Sequence, residues 1–188
     1  DVETLTRASL RKRFGFERAD VLALFGGSII AGADVLAQAM RESVAARYVI
    51  VGGEGHTTEA LRRVVHERCP EIETAGLPEA EVFSRYMKAV YNLAPDHIET
   101  RSTNCGNNIT NLLALLAREG IGARRVILCQ DATMQRRMDA GLRKYAPDSA
   151  IVNYATYRAT VEARGDRLVY DAPIDGMWTI ERYVNLLM

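Results

Sequence analysis

The sequence predicts an α/β protein with a mostly parallel sheet that helices cover on both faces. Short apolar runs, typical of buried strands, alternate with longer segments whose apolar residues recur at helical spacing. Helical segments separate the predicted strands, as right-handed crossovers between parallel strands require. The predicted strands are Val21 to Phe25, Tyr48 to Val51, His97 to Thr100, Val126 to Cys129 and Ala150 to Tyr154.

Helical spacing of apolar residues predicts a helix before the first strand and one or more helices in the connections. The predicted helices are Leu5 to Phe14, Val35 to Ala46, Glu59 to Glu67, Glu79 to Tyr91, Ile109 to Ala117 and a segment that ends near Lys144. Towards the carboxyl end, Arg164 to Arg167 predicts the turn of a hairpin. One face of a terminal helix is marked by Met177, Ile180, Val184 and Leu187.

Length and composition indicate one ordinary globular domain over residues 1–188. Hydrophobic residues make up 48% of the chain and charged residues 26%, and 24 basic side chains balance 24 acidic ones. This balance argues against nucleic acid as a partner, because neutralising phosphates needs a surplus of Lys and Arg. No run approaches the ~18 apolar residues of a membrane helix, so we expect a soluble protein without a membrane segment.

The cysteines Cys69, Cys105 and Cys129 are far apart and form no CxxC pair. This usage fits reduced thiols better than a disulfide framework or a zinc site. His66 and His97 also lack the spacing of metal ligands. We therefore expect a cytoplasmic protein without a bound metal.

Four segments of unusual composition each follow a predicted strand. They are Gly26 to Ser28, Gly52 to Thr57, Ser102 to Asn108 and Gln130 to Thr133. Parallel sheets bind ligands beyond the carboxyl ends of their strands, near the point where the strand order reverses. We therefore expect the four segments to meet at one edge of the sheet and to form a single site for a small-molecule ligand.

The segment from Gly52 to Thr57 is rich in glycine. Such a loop permits close backbone approach to a ligand, although a tight strand-to-helix turn explains it equally well. Gly53 and Gly55 match the first two glycines of the dinucleotide-binding pattern, but Thr58 occupies the third position. With a second glycine loop after the first strand, we favour ligand approach.

Few acidic or titratable side chains accompany these loops. By the usual offset, a carboxylate that binds a ribose would fall near Glu71 or Glu73, both in a polar connection. Glu79 follows Pro78 at a helix start, where it either stabilises the helix end or faces the site. His56 is either an acid or base near neutral pH or a hydrogen-bonding surface residue.

The segment from Ser102 to Asn108 begins a predicted helix. It contains two hydroxyl side chains and three Asn, whereas capping a helix needs only one such residue. The surplus predicts a polar, anion-binding pocket at the helix start. Cys105 lies there too, but no nearby His can act as its base, so we do not expect it to be a nucleophile.

The fourth segment continues into a helix that carries Arg136 and Arg137. An Arg at this position can clamp a carboxylate or phosphate, and Asp131 can accept from a hydroxyl or an amine. The alternative is an Asp cap followed by two solvated Arg side chains. Thr133 lies about one turn before the two Arg residues.

The order of these loops resembles the SanA/YdcF family of bacterial proteins, a domain of unknown function, from about Val21 to Lys144. The similarity is closest to its YdcF-like branch. It rests on Ser102-Thr103-Asn104-Cys105-Gly106, on Asp131 with Thr133-Met134-Gln135-Arg136-Arg137, and on Trp178 with Glu181-Arg182-Tyr183 and Leu186-Leu187. The resemblance implies a Rossmann-like three-layer fold and S-adenosylmethionine as a candidate ligand.

The chain departs from the family pattern at two positions. Asn107 stands where the family usually has Glu, and Thr133 stands where the wider family has His, although the YdcF-like branch resembles this chain there. Without these two groups, hydrolysis has less support. Other members are linked to the cell envelope and to polyprenyl phosphate lipids through a membrane anchor that this chain does not show, so we do not expect an envelope role.

Three hypotheses of function follow. The first is a nucleotide-type ligand-binding protein, with S-adenosylmethionine as its ligand, Arg136 holding an anionic group and Asp131 a hydroxyl or ammonium. The second is an enzyme acting on a phosphoester, with Asp131, Glu54 or His56 as its base. The third is a domain that docks a protein partner through Trp178 and the terminal helix, although packing onto the sheet explains Trp178 and Tyr183 more simply.

The first hypothesis assigns ligand contacts to residues of all four loops and to Glu79. The predicted ligand-binding residues are Gly26, Gly27, Ser28, Gly52, Gly53, Glu54, Gly55, His56, Thr57, Glu79, Ser102, Asn104, Asn108, Gln130, Asp131, Thr133 and Arg136.

Overall fold

A computed structural model describes residues 4–187 of the chain. Its central element is a five-stranded parallel sheet with the strand order β3-β2-β1-β4-β5. A separate antiparallel pair, β6 and β7, follows the sheet along the chain. The strands are β1 Ala19–Phe25, β2 Ala45–Val51, β3 His97–Glu99, β4 Arg125–Gln130, β5 Ala150–Ala155, β6 Val161–Arg164 and β7 Arg167–Tyr170.

Helices flank the sheet on both faces, which makes the fold a Rossmann-like three-layer sandwich. Helices α1 to α4 pack against one face, and α5 and α6 pack against the other. The helices are α1 Arg7–Phe14, α2 Ala31–Arg41, α3 Thr58–Arg68, α4 Glu79–Tyr91, α5 Cys105–Arg118, α6 Gln135–Tyr145 and α7 Ile180–Leu187.

The apolar strands have a core on each side because successive side chains of a strand point to opposite faces. In β1, Leu22 and Leu24 belong to the cluster that α1 to α4 cover. Val21, Ala23 and Phe25 belong to the cluster under α5 and α6. Burial on both faces explains why this strand is a continuous apolar run.

The strand order reverses between β1 and β4, the two central strands of the sheet. The chain runs outward from β1 through β2 to β3 and then crosses back to β4. The connections after β1 and β4 therefore leave on opposite faces and open a crevice between them. Gln130, the last residue of β4, spans this crevice by donating from Nε2 to the Gly26 carbonyl oxygen at 3.3 Å.

Three predicted helix boundaries are wrong, two of them because α2 begins at Ala31 instead of Val35 and α5 at Cys105 instead of Ile109. The helix predicted over Val35 to Ala46 ends at Arg41, and β2 already begins at Ala45. Ser43 adopts a positive φ of 53°, which stops the helix. Ala45 has high helix propensity, but its pairing with Ala19 of β1 makes it part of the sheet.

The hairpin turn predicted at Arg164 to Arg167 is present. The predicted apolar face of the terminal helix is only partly correct, because Val184 is 47% exposed and Tyr183 is buried instead. A hydrogen bond from the Tyr183 hydroxyl to Asp131 selects this orientation of the helix. Met177 precedes the helix, and the side chain of Leu187 lies outside the described part of the structure. Between residues 4 and 187, no helix is long and apolar enough to cross a bilayer.

Candidate functional site

A cavity of about 340 Å³ lies beyond the carboxyl ends of the sheet strands. Its walls come from the four segments that follow β1, β2, β3 and β4, together with residues near the carboxyl end of the chain. This volume falls within the roughly 300–1,000 Å³ typical of small-molecule sites. The parallel topology thus brings the four loops to one concave surface.

Most residues predicted to bind a ligand line this cavity. Those that do are Gly26, Gly27, Gly53, Glu54, Gly55, His56, Thr57, Glu79, Ser102, Asn104, Asn108, Gln130 and Asp131. Those that do not are Ser28, Gly52, Thr133 and Arg136. Further lining residues that the sequence did not assign to the site are Thr103, Cys105, Met134, Arg137, Trp178 and Tyr183.

Glycines let the first two loops approach each other closely. A Cβ atom at Gly26 would lie 3.2 Å from the Cα of Gly52, and one at Gly52 would lie 3.1 Å from the Cα of Gly26. A Cβ at Gly26 would also lie 2.3 Å from Oε2 of Glu79. The space left by the missing side chains is therefore occupied by the Glu79 carboxylate.

Glu79 begins α4 and is the most deeply buried acidic side chain at the cavity, with 6% of its surface exposed. The backbone N–H of Glu79 donates to the Gly53 carbonyl, which anchors the helix start to the glycine loop. Its Oε1 accepts hydrogen bonds from Thr57 at 2.5 Å and from Thr58 at 3.0 Å. Burial raises the pKa of the Glu79 carboxyl, although the two hydroxyl donors act in the opposite direction.

We expect Glu79→Gln to raise the free energy of unfolding at pH 7.5 by about 1 kcal/mol, because it removes a buried charge that is incompletely paired. The pKa of Glu79 is raised above the ordinary 4.5, so the folded protein binds more protons than the unfolded chain between these two values. Wild-type stability therefore falls as the pH rises through this window, and below pH 4.5 the penalty disappears. Urea unfolding from pH 4 to 8 measures both effects.

Glu81→Gln is the matched control, because it removes a carboxylate from the same helix turn that is paired at the surface with Arg85. Its stability should follow the wild-type pH profile. An unchanged profile in Glu79→Gln would show that the Glu79 charge costs no stability.

Some of the polar side chains at the start of α5 hydrogen-bond within the segment and stabilise the helix start itself. Asn104 caps the helix by accepting from the Asn107 N–H at 3.0 Å, and the Asn107 side chain accepts from the Thr103 hydroxyl. The Ser102 hydroxyl accepts from the Gly53 N–H at 3.1 Å and so joins the second and third loops. The first N–H groups of the helix have no intrahelical partner and give this end of the cavity a positive potential.

Cys105 is the first residue of α5 and lines the cavity. Burial raises the pKa of its thiol, and the positive charge of Arg137 only partly offsets this effect. A thiol in this state is a weak nucleophile at neutral pH. That Cys105 is not a nucleophile stays a prediction, with which this raised pKa is consistent.

Asp131 follows β4, and internal hydrogen bonds occupy both of its carboxylate oxygens. Oδ1 accepts from the Thr133 N–H at 2.9 Å, from the Thr133 hydroxyl at 2.8 Å and from the Tyr157 hydroxyl. Oδ2 accepts from the Tyr183 hydroxyl at 3.2 Å. Burial and the nearby Asp131 charge raise the pKa of both tyrosines, so they remain donors. Asp131 therefore holds the fold together around the cavity.

The wall formed by Trp178 and Tyr183 closes the side of the cavity next to β4 and is the main feature that sequence reasoning missed. Their rings pack 5.7 Å apart, and the guanidinium of Arg182 lies 3.7 Å from the center of the Trp178 ring. The Ser28 hydroxyl donates to the Gly176 carbonyl at 2.6 Å and fastens this segment to the first loop. Ser28 thus supports the wall without lining the cavity.

The wall also contains a buried polar group. Within the described residues, the buried indole N–H of Trp178 has no hydrogen-bond partner. A buried donor of this kind costs stability unless it is satisfied. The ring surfaces of the aromatic wall nevertheless suit a flat ligand.

Arg137 supplies a positive side chain to the cavity lining, whereas Arg136 does not line the cavity. Successive residues on a helix are rotated by about 100°, so only one of the two can face the site. No protein-family model matches the chain. Across residues 4–187, no cluster of three or more His, Cys, Asp or Glu side chains is close enough to hold a metal ion.

Proposed function

We propose that this protein is a YdcF-like member of the SanA/YdcF family that binds a nucleoside-type small molecule, with S-adenosylmethionine as the specific candidate. The observation that supports this most is the chemical contrast between the walls of one cavity. The lining combines the rings of Trp178 and Tyr183 with the Glu79 carboxylate, the start of α5 and Arg137. A nucleoside amino acid presents a matching set of groups.

The aromatic wall suits the adenine base. Trp178 and Tyr183 offer apolar ring surface, and the polarisable side chain of Met134 also lines the cavity. Stacking on such a surface contributes about 1–3 kcal/mol per base.

Arg137 and the start of α5 suit the carboxylate of the amino-acid portion. Arg137 carries a planar guanidinium, and the first turn of α5 adds unpaired N–H groups. Both features stabilise an anion, and the glycines of the second loop let the ligand approach the backbone. A ligand with a base at one end and a carboxylate at the other would contact both the aromatic wall and this anion-binding region.

Isothermal calorimetry with S-adenosylmethionine tests this proposal, with S-adenosylhomocysteine and ATP as competitors for the same cavity. We expect saturable binding to one site. We also expect Arg137→Ala to weaken binding at least tenfold, about 1.4 kcal/mol. Arg136→Ala is the comparison, because it removes the same charge from the neighbouring position outside the cavity, and its affinity should match the wild type.

Absence of both heat and thermal stabilisation at millimolar S-adenosylmethionine would contradict the proposal. Equal affinity loss in the two Arg variants would mean that general charge, and not contact by Arg137, attracts the ligand. The first result would indicate a ligand of a different class, and the second would remove Arg137 from the binding site.

The phosphoester hypothesis receives less support from the site. Of its three predicted bases, Asp131 is saturated by internal hydrogen bonds. Glu54 is 61% exposed at its side chain and paired with Arg62. His56 remains, without a side-chain hydrogen bond to orient it within the described residues. An activity assay with generic phosphoester substrates, with and without divalent metal, tests this hypothesis. Hydrolysis would indicate an enzyme, because a protein that only binds its ligand gives no turnover.

We also propose a cytoplasmic location. Cys69, Cys105 and Cys129 are free thiols. Free thiols of this kind fit a reducing compartment. Fractionation of cells that produce the protein, followed by immunoblotting, tests this placement.

A further inference from the structure

One oxygen of a buried carboxylate faces the cavity without a partner. Glu79 Oε1 accepts hydrogen bonds from the hydroxyls of Thr57 and Thr58, whereas Oε2 has no hydrogen-bond partner within the described residues. Oε2 projects into the space above Gly26 and Gly52, where the first two strands end. Glu79 as a whole is buried, but its side chain lines the cavity, so a ligand group that enters the cavity can reach this free oxygen and hydrogen-bond to it.

The position of this oxygen in the sheet is informative. In dinucleotide-binding α/β folds, a carboxylate near the ends of the first two strands accepts from a ribose hydroxyl. Here β2 ends in Val51 and continues into two glycines, so the strand end itself supplies no acid. Glu71 and Glu73, where the usual offset would place this acid, do not line the cavity. Glu79 reaches the same place from the start of α4.

We infer that Glu79 Oε2 holds a ribose hydroxyl of the bound ligand, an assignment that rests on the proposed nucleoside-binding function. The carboxylate comes from a helix start instead of a strand end, and the glycines at positions 26 and 52 make room for it. The cavity therefore selects ribonucleosides over nucleosides without ribose hydroxyls.

A hydroxyl fits this position better than an ammonium group. The site is deeply buried, and removing a full positive charge from water costs several kcal/mol, whereas a hydroxyl costs much less. The positive charge of Arg62 also acts on Glu79 and would repel a second cation. A hydroxyl can donate to the carboxylate or accept from the protonated acid, so it pairs with Glu79 in either state.

Calorimetry with adenosine and 2′,3′-dideoxyadenosine tests the inference in the wild type and in two variants. We expect the wild type to prefer adenosine at least tenfold. Glu79→Gln keeps the shape of the side chain and weakens its hydrogen bond to the ribose hydroxyl. Glu79→Met keeps the length of the side chain but cannot form this hydrogen bond. The preference should fall below about threefold in Glu79→Met, with Glu79→Gln between it and the wild type. Glu81→Gln on the same helix turn should retain the full preference.

Three results would overturn the inference. Equal wild-type affinity for adenosine and its dideoxy analogue would remove the ribose contact while leaving nucleoside binding intact. A preference that survives in Glu79→Met would assign the hydroxyl to another residue. Binding of L-methionine alone that Glu79→Gln abolishes would place an ammonium on Oε2. Failure of both S-adenosylmethionine and adenosine to bind would instead overturn the proposed function and this inference together.

Discussion

Gly53→Ala is expected to lower the free energy of unfolding by about 3 kcal/mol, at the upper end of the range for overpacking. A Cβ at this position would lie 2.1 Å from the Ser102 carbonyl oxygen, 2.7 Å from the Thr100 carbonyl oxygen and 2.9 Å from the Ser102 nitrogen. All three are backbone atoms that cannot rotate away. The second and third loops would have to separate, which also breaks the bond from the Gly53 N–H to Ser102. Urea unfolding measures the loss.

Gly55→Ala provides the control two residues further along the same loop. Its nearest neighbour would be the Thr103 carbonyl oxygen at 3.5 Å, an ordinary contact distance. The stability of this variant should stay within about 0.5 kcal/mol of the wild type. If both variants lose the same stability, loss of glycine flexibility and not close packing of the two loops explains the effect.

Asp131→Ala is expected to cost about 3 kcal/mol of stability and to release the aromatic wall of the cavity. The substitution leaves the hydroxyls of Thr133, Tyr157 and Tyr183 without their acceptor. Trp178 is the only tryptophan of the chain and packs against Tyr183. Its fluorescence emission should shift to longer wavelength, because the indole gains contact with water. Urea unfolding and emission spectra measure the two effects.

Asp139→Ala is the matched control, because Asp139 of α6 accepts hydrogen bonds from Arg143 on the same helix and from Asn153 of β5, away from the cavity lining. Loss of these more exposed bonds should cost about 1 kcal/mol or less. The emission of Trp178 should not change. An unchanged emission in Asp131→Ala would show that other contacts are sufficient to hold the wall.

Local patterns were sufficient to predict the fold. The continuous apolar run of β1 follows from burial on both faces, and the helix from Glu79 to Tyr91 was predicted with its observed bounds. The error at the end of α2 arose because Ala45 and Ala46 favour a helix by propensity. Pairing with β1 decides their conformation, and pairing between distant strands is not visible in a local window.

The position of the site could be predicted from the sheet topology, but the individual contacts within it could not. Loops that follow parallel strands must meet at one edge, so their convergence on a cavity could be expected. The contact between Ser28 and Gly176 joins positions 148 residues apart, and no local signal indicates it. The choice between Arg136 and Arg137 depended on helix rotation, which a boundary uncertainty of one residue is enough to obscure.

The place of the aromatic wall along the chain also affects how the protein is made. All five strands of the parallel sheet have been synthesised once Ala155 is added, whereas the cavity lacks Trp178 and Tyr183 until later. At ~5–20 residues per second, the loops emerge seconds before the wall that encloses them. A ligand that fills the cavity would touch both the loops after the strands and this later segment, so its binding energy would hold the C-terminal segment against the sheet.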